Sequence, residues 1–223
     1  MKNQAATRQI TEGVIWKQIL AFFFPILLGT FFQQMYNTVD TVIVGRFVST
    51  QALAAVGTAG PLVNMINGFF TGLSTGATVI LAQYFGAGNR EGVRKAMHTG
   101  ITLSLLLGLA IILLGCGLGP TVLRWMKTPE ECLDMAALYV RIYFAGAIAS
   151  MLYNMEAGIL RAMGDSQRPV ISLIVACVVN IIMDIVLVVF LKMGVAGAAL
   201  ATVISQIVSA AMLLFVLLRE REN

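Results

Sequence analysis

Residues 22–44 of this chain read FFFPILLGTFFQQMYNTVDTVIV. At roughly 1.5 Å per residue, a helix of this length crosses a hydrocarbon core of about 30 Å. The stretch nevertheless carries Asp40, and a second aspartate, Asp184, lies within the apolar stretch 170–191. A carboxylate at membrane depth is costly and needs a functional reason. The two aspartates therefore predict an ion or proton pathway inside a helical membrane protein.

The composition indicates the same class of protein, since 58% of the 223 residues are hydrophobic and only 12% are charged. The first run contains Gln33, Asn37 and Asp40 and lacks a small-residue cleavage site, so it is retained as a helix and is not a signal peptide. The connections are short and leave no room for a soluble domain. We predict an all-α bundle of six transmembrane helices, with spans at 15–44, 53–85, 93–118, 133–160, 170–191 and 195–218.

The distribution of Lys and Arg predicts the orientation of the bundle. Ten of these residues lie in the N-terminal segment or in the second, fourth and final connections, against four in the other connections. The ten are Lys2, Arg8, Lys17, Arg90, Arg94, Lys95, Arg161, Arg168, Arg219 and Arg221; the four are Arg46, Arg124, Lys127 and Lys192. Both termini are therefore expected in the cytoplasm. The net charge is +4. The cationic residues flank the spans and form no solvated stripe, so no nucleic-acid partner is expected.

Polar residues of four different spans fall at one depth. Counted from the outer end of each helix, they lie roughly 8–12 Å below the outer surface. They are Asp40, Tyr139, Asp184 and Thr202. Asn180 shares the helical face of Asp184, one turn deeper, and Gln33, Tyr36, Asn37 and Asp40 form a stripe on the first helix. We expect these residues to converge, and we take Gln33, Gln34, Tyr36, Asn37 and Gln206 as candidates for a substrate cavity.

Two carboxylates at close range in a low dielectric must share a proton, hold a cation or separate. Asn180, Thr202 and Tyr139 add neutral oxygens and donors, a set that suits a monovalent cation or a proton relay. Nothing favours a transition metal, because His98 is the only histidine and no cysteine pairs with it. No cofactor is expected beyond the coupling ion. The alternative is a satisfied polar network that only holds the bundle together.

Other features carry weaker predictions. Pro25 is either a hinge of the first helix or a static kink, and Gly68, Gly72 and Gly76 predict a strip on which another helix packs. Glu156 is expected at the inner membrane interface. The string Gly72–Gly76 matches the G-x-S-x-G pattern of serine hydrolases, but it lies mid-helix and lacks the strand-to-helix turn of that motif, so no enzyme is predicted.

Two motifs carry a family resemblance. Met35–Arg46 (MYNTVDTVIVGR), followed by Ala52–Gly57 (ALAAVG), resembles the first-helix signature of multidrug and toxic compound extrusion (MATE) transporters. Leu160–Pro169 (LRAMGDSQRP) resembles their connection between the fourth and fifth helices. The pairing of Asp40 with Asp184 is similar to that of the DinF-like branch.

The resemblance implies a twelve-helix transporter of two lobes in the plasma or inner membrane, which exports small molecules in exchange for Na⁺ or H⁺. Carried over by position, Asp40, Asn180, Asp184 and Thr202 would hold the proton or Na⁺, with Tyr139 and Asn154 in the surrounding network and Pro25 as the bending point. The depth count supports four of these residues and not Asn154. Glu156 departs from the family pattern.

The chain has about half the expected length, so residues 1–223 correspond to the N-terminal lobe and the C-terminal lobe is absent. The sequence is then a fragment, a truncated product, or a half-transporter that pairs with a missing lobe or a second copy. Two other functions remain open. A flippase for a lipid-linked oligosaccharide would be expected to show cationic cavity residues, and a non-transporting membrane scaffold would tolerate neutral residues at both aspartates.

Overall fold

A computed structural model describes residues 15–222 of the chain, and this part consists of helices joined by short turns and contains no strand. The helices are α1 (Ile15–Phe47), α2 (Thr50–Gly86), α3 (Arg90–Trp125), α4 (Glu130–Ala145), α5 (Ala147–Ala162), α6 (Gln167–Asp184) and α7 (Gly194–Glu222), with a π-helical segment (Ile185–Phe190) directly after α6. The predicted all-α fold class is confirmed. Lys2 and Arg8, which entered the orientation argument, lie outside the described residues, and the orientation stays a prediction.

The predicted count of six transmembrane helices is only approximate, because the predicted fourth span consists of two helices. α4 and α5 meet at Gly146 with a bend of 48°. A Cβ atom added to Gly146 would lie 2.7 Å from Val203 Cγ2 of α7. A glycine is therefore favoured where α7 packs closely against the bend.

Four described helices are long and apolar enough to cross a membrane: α2, α3, α6 with its π segment, and α7. The number rises to five if α4 and α5 are counted as one bent span. α1 is not among them, and its second half carries the polar stripe that includes Gln33, Asn37 and Asp40. Large apolar side chains such as Phe31 and Leu113 are exposed on the bundle surface, as expected for contact with lipid.

The bent pair α4 and α5 lies at the centre of the bundle and packs against α2, α3 and α7, while α1 packs mainly against α6. Glycines permit several of these contacts. A Cβ atom on Gly108 of α3 would lie 2.8 Å from Ile148 Cα, and one on Gly158 of α5 would lie 2.6 Å from Ser74 Oγ. Close approach at small residues is the usual way in which membrane helices associate.

The glycine strip predicted on α2 is not one of these contacts. Cβ atoms added to Gly68, Gly72 or Gly76 would meet nothing within 4 Å in the described structure. Gly68 borders a polar cavity, and Gly72 and Gly76 border an apolar one between α2 and α3. The prediction of a helix-packing strip is therefore wrong for this lobe: the glycines leave space on α2.

Candidate functional site

The packing of α1 on α6 brings Asp40 and Asp184 together, and we refer to them as the aspartate pair. Their carboxyl groups lie close enough to interact electrostatically with each other. Asp40 is 6% exposed and Asp184 is fully buried. Asp40 Oδ1 and both oxygens of Asp184 have no hydrogen-bond partner in the described structure. Because two ionised carboxylates cannot donate to each other, this arrangement suits a shared proton or a bound cation.

Three further predicted residues are buried around the aspartate pair. Asn180 lies one turn before Asp184 on α6, fully buried, and neither its amide oxygen nor its amide nitrogen has a partner among the described residues. The Thr202 hydroxyl donates to the Ala198 carbonyl at 3.1 Å, which leaves its oxygen free to accept or coordinate. Tyr139 lies close enough to both aspartates to interact electrostatically with their carboxyl groups. The predicted convergence of four helices is thus present, and its oxygen-rich character fits a hard cation.

A cavity of about 520 Å³, here called the polar cavity, opens beside the aspartate pair. It is lined by Asp40, Tyr139 and Thr202 and by four of the predicted cavity residues, Gln33, Gln34, Tyr36 and Asn37. Asp184 and Asn180 do not line it. Asp40 therefore connects the polar cavity to the buried part of the site, so that an occupant of the cavity and an ion at the pair would meet at one carboxyl group.

The structure adds polar cavity residues that the sequence analysis missed. Asn64, Asn67 and Thr71 of α2 line the cavity opposite α1, together with Thr41 and Tyr143. The three α2 residues lie at i, i+3 and i+7, a helical stripe of the kind recognised on α1. This spacing was the available signal, and the apolar and glycine residues around it masked it.

Tyr143 joins three helices at the wall of the polar cavity. The Asn67 Nδ2 of α2 donates to Tyr143 Oη at 2.9 Å, and the Gln206 Nε2 of α7 donates to the same oxygen at 3.4 Å. The Tyr139 and Tyr143 rings stack with their centroids 6.3 Å apart. Gln206, predicted as a cavity residue, thus reaches the cavity wall through Tyr143 and is not itself among the lining residues.

Asn154 lies apart from the aspartate pair. Its Nδ2 donates to the Ser150 carbonyl at 2.8 Å, its Oδ1 accepts from the Thr71 hydroxyl at 3.5 Å, and its backbone carbonyl accepts from the Ser74 hydroxyl. The contacts with Thr71 and Ser74 hold α5 against α2, the contact with Ser150 lies within α5, and of these three residues only Thr71 also lines the polar cavity. The structure does not bring Asn154 into the group around Asp40, because the residue lies beyond the bend at Gly146.

Pro25 lies near one end of the contact between α1 and α6, and the π segment lies near the other end. α1 remains helical through Pro25, and Gly29, one turn later, faces Val170 and Leu173 of α6. The π segment begins at the residue after Asp184, and such segments occur frequently at functional sites. The sequence carried no signal for it. A hinge at Pro25 stays a prediction.

Two other polar residues, Ser74 and Glu156, are buried inside the bundle. Ser74, the serine of the G-x-S-x-G string, lies in the middle of α2 and is 1% exposed, with its hydroxyl donated to Asn154. Glu156 is fully buried within the bundle, and its predicted place at the inner membrane interface stays a prediction. That residue lies outside the polar cavity.

Fold and site together define a polytopic helical membrane protein with a polar cavity beside a buried pair of aspartates. A family model described as MatE matches residues 25–186, and the chain therefore belongs to the MatE family, the family that the two motifs resemble. Members of this family are transporters and not enzymes.

Individual relatives agree with this assignment. The chain is 34% identical over 221 residues to the probable multidrug resistance protein YoeA of Bacillus subtilis, covering 97% of this chain and 48% of that protein. It is 29% identical to DNA damage-inducible protein F of Escherichia coli, covering 88% and 42% respectively. The chain spans about half the length of the curated relatives it matches.

Solved structures agree as well. An outward-facing multidrug resistance MATE transporter of the MOP superfamily matches with a TM-score of 0.87 at 30% identity, over 93% of this chain and 46% of that one. A MOP superfamily transporter from Pyrococcus furiosus, described as having a binding pocket of reversed polarity, matches with a TM-score of 0.91 at 29% identity over all of this chain and 49% of that one.

Proposed function

We propose that this chain is the N-terminal lobe of a secondary active efflux transporter that exports amphipathic or cationic compounds in exchange for Na⁺ or H⁺. The observation that carries the proposal is the aspartate pair: two buried carboxyl groups that interact with each other, one of which lines a cavity. Asp40, Asn180, Asp184 and Thr202 form the proposed ion site. The proposed orientation has both termini in the cytoplasm of a cell whose plasma or inner membrane holds the transporter.

Coupling follows from the shared position of Asp40. A cation or proton bound at the aspartate pair removes the negative charge that Asp40 presents to the polar cavity. A cationic substrate in that cavity therefore binds less well when the coupling ion is bound, and the ion binds less well when the substrate is present. This mutual exclusion is what an exchanger needs, and it requires only one shared carboxyl group.

The residues that line the polar cavity favour cationic or neutral substrates over anionic ones. It contains amide, hydroxyl and phenol groups and one carboxyl group, and no Lys or Arg of the described residues lines it. A lipid-linked oligosaccharide carries phosphate, which would call for a cationic residue there. The volume of about 520 Å³ is within the range of small-molecule sites.

The proposal is tested by measuring ion binding to the purified chain in lipid nanodiscs. We expect the unaltered chain to bind radiolabelled Na⁺ or, when Na⁺ has no effect, to take up protons at the aspartate pair; the double variant D40N/D184N should bind no Na⁺ and take up correspondingly fewer protons. The amide isosteres keep the size of the side chains and remove the charge. The control variant Glu91→Gln changes an exposed acid that pairs with Lys95 at 2.7 Å. Na⁺ binding that survives in D40N/D184N, or proton uptake that is undiminished in it, contradicts the site.

A further inference from the structure

A third carboxyl group lies inside the bundle, away from the aspartate pair. Glu156 of α5 is fully buried, and neither Oε1 nor Oε2 has a hydrogen-bond partner in the described structure. Its position two residues after Asn154 turns it by roughly 200° around the helix, to the side facing away from the Asn154 contacts with α2. The proposed ion exchange makes no use of this residue.

Glu156 lies against a second cavity, here called the lateral cavity, of about 370 Å³ between α5 and α7. Apart from Glu156, its lining consists of alanine, glycine, valine, isoleucine and leucine. Ile207 and Leu214, which border it, are 52% and 38% exposed, so the lateral cavity opens on the outside of the bundle. Ala145 and Gly146 at the bend between α4 and α5 border it as well.

No charge compensates Glu156 within the described side chains, and burial alone shapes its electrostatic environment. The helices packed around α5 carry other ionisable groups, but none of those described lines the lateral cavity. They are Tyr84 of α2; Arg90, Glu91, Arg94, Lys95, His98, Cys116 and Arg124 of α3; Glu130, Glu131, Cys132, Asp134, Tyr139, Arg141 and Tyr143 of α4; Arg168, Cys177 and Asp184 of α6; and Arg219 of α7. On α5 itself, Tyr153 donates to the Pro169 carbonyl at 3.5 Å, and Arg161 lies about two turns after Tyr153.

We propose that Glu156 is a second proton-binding site of this lobe, separate from the aspartate pair and coupled to the contact between α5 and α7. A lone carboxylate without a partner is unstable in such surroundings, whereas the neutral acid is tolerated. A metal ion needs several oxygen ligands, and no other polar side chain lines the lateral cavity, so the occupant is a proton. The carboxylate takes up one proton from water to become the acid, and the reverse step returns it.

Release of the proton has a structural consequence. The carboxylate must be hydrated, and the apolar lining of the lateral cavity in its present packing does not favour water beside it. Because the wall of this cavity includes Val203 and Gly146, its hydration loosens the contact between α7 and the bend. Protonated Glu156 therefore corresponds to the closed packing seen here, and ionised Glu156 to a packing in which α5 and α7 are further apart.

Infrared spectroscopy of the whole chain in nanodiscs tests the proposal. The D40N/D184N variant removes the other buried carboxyl groups, so a carbonyl band of a protonated acid at neutral pH is assigned to Glu156. We expect this band to be present, to shift in D₂O, to shift with ¹³C-labelled glutamate, and to vanish as the pH is raised. The isotope label shows that the acid is a glutamate, and Glu91, Glu130 and Glu131 among the described glutamates are exposed.

Two variants complete the test. Adding Glu156→Gln should remove the band, and adding Glu91→Gln should leave it intact. The proposal is overturned if no protonated-acid band is present at neutral pH in D40N/D184N, since Glu156 is then ionised. It is equally overturned if the band neither shifts in D₂O nor responds to pH, because a proton that never exchanges serves only as part of a buried neutral acid.

Discussion

The aspartate pair and Asn180 concentrate unsatisfied polar atoms at one point between α1 and α6. Asp40 Oδ1, both Asp184 oxygens and both Asn180 amide atoms lack partners among the described residues. Buried polar groups are normally paired, and each exception needs an explanation. A bound ion that is coordinated by several of these oxygens is such an explanation. On this account the residues are left without protein partners because their partner is the coupling ion.

Asn180→Ala separates a ligand role from a structural one. Because the Asn180 amide has no protein partner, its removal should leave the midpoint of thermal unfolding without Na⁺ unchanged or slightly higher. With Na⁺ present, we expect the stabilisation by the ion to fall, since loss of one ligand should lower the affinity about tenfold, or about 1.4 kcal/mol. The measurement is thermal unfolding with and without Na⁺.

The Asn180→Ala comparison has a matched control in Asn67→Ala, which removes an amide that donates to Tyr143. That variant should lower the midpoint by a similar amount with and without Na⁺, because its hydrogen bond is to protein. If Na⁺ raises the midpoint of thermal unfolding by the same amount in Asn180→Ala and in the unaltered chain, Asn180 is not part of the ion site.

At the scale of the helices, the geometry of the site depends on where the elements bend. The bend of 48° at Gly146 separates Tyr139 and Tyr143, which line the polar cavity, from Asn154 and Glu156, which do not. The π segment after Asp184 changes the helical register directly beside the aspartate pair. These irregularities decide which polar residues of one span reach the polar cavity.

The close contact at the bend gives a prediction for Gly146→Ala. Its Cβ atom would lie 2.7 Å from Val203 Cγ2, so α7 must move, and we expect a loss of stability of about 1–3 kcal/mol. Val203→Ala should relieve the clash, so the double variant should be more stable than the sum of the single effects. Denaturant unfolding of the four proteins gives the coupling energy.

Gly117→Ala provides the control for that cycle, since a Cβ atom there meets nothing within 4 Å and alanine suits a helix interior better than glycine. It should be neutral or stabilising. Additive effects of Gly146→Ala and Val203→Ala would show that the bend does not depend on this contact.

The hinge hypothesis for Pro25 leads to a distance measurement. Spin labels at the exposed positions 20 and 38 lie on either side of Pro25, roughly 27 Å apart on a straight helix. Occupation of the aspartate pair removes repulsion between α1 and α6, so we expect this distance to change with Na⁺ or pH. The change should be absent in D40N/D184N, and a distance that is constant in the unaltered protein leaves only a static kink.

Much of the site could be predicted from the sequence, because intramembrane polar residues are few and their depth follows from the helical rise. Asp40, Asp184, Asn180, Thr202 and Tyr139 are grouped as that count suggested. The remainder depends on tertiary contacts. The close contact at Gly146 involves Val203, a residue more than fifty positions away, and the space beside Gly68, Gly72 and Gly76 belongs to cavities that α2 shares with other helices. Neither is encoded in local periodicity.

At the scale of the whole molecule, the chain provides one lobe of a fold whose relatives are about twice as long. The polar cavity lies between α1 and α2 and opens away from the bundle core, on the side where Gln34, Asn37 and Thr41 are exposed. Polar groups in the hydrocarbon region must face water or protein. A second lobe opposite this side would enclose the cavity, and alternating access requires such a pair of lobes.

The exchange mechanism is tested most directly by substrate efflux driven by an ion gradient, in liposomes containing this chain together with the C-terminal half of YoeA from Bacillus subtilis. We predict efflux of a fluorescent lipophilic cation from this assembly under an inward Na⁺ or H⁺ gradient, unchanged in Glu91→Gln. Asp40→Asn and Asp184→Asn should each abolish gradient-driven efflux while both halves still insert. The chain without the second half should bind the ion and transport nothing. Gradient-driven efflux at the unaltered rate from both aspartate variants would contradict the account.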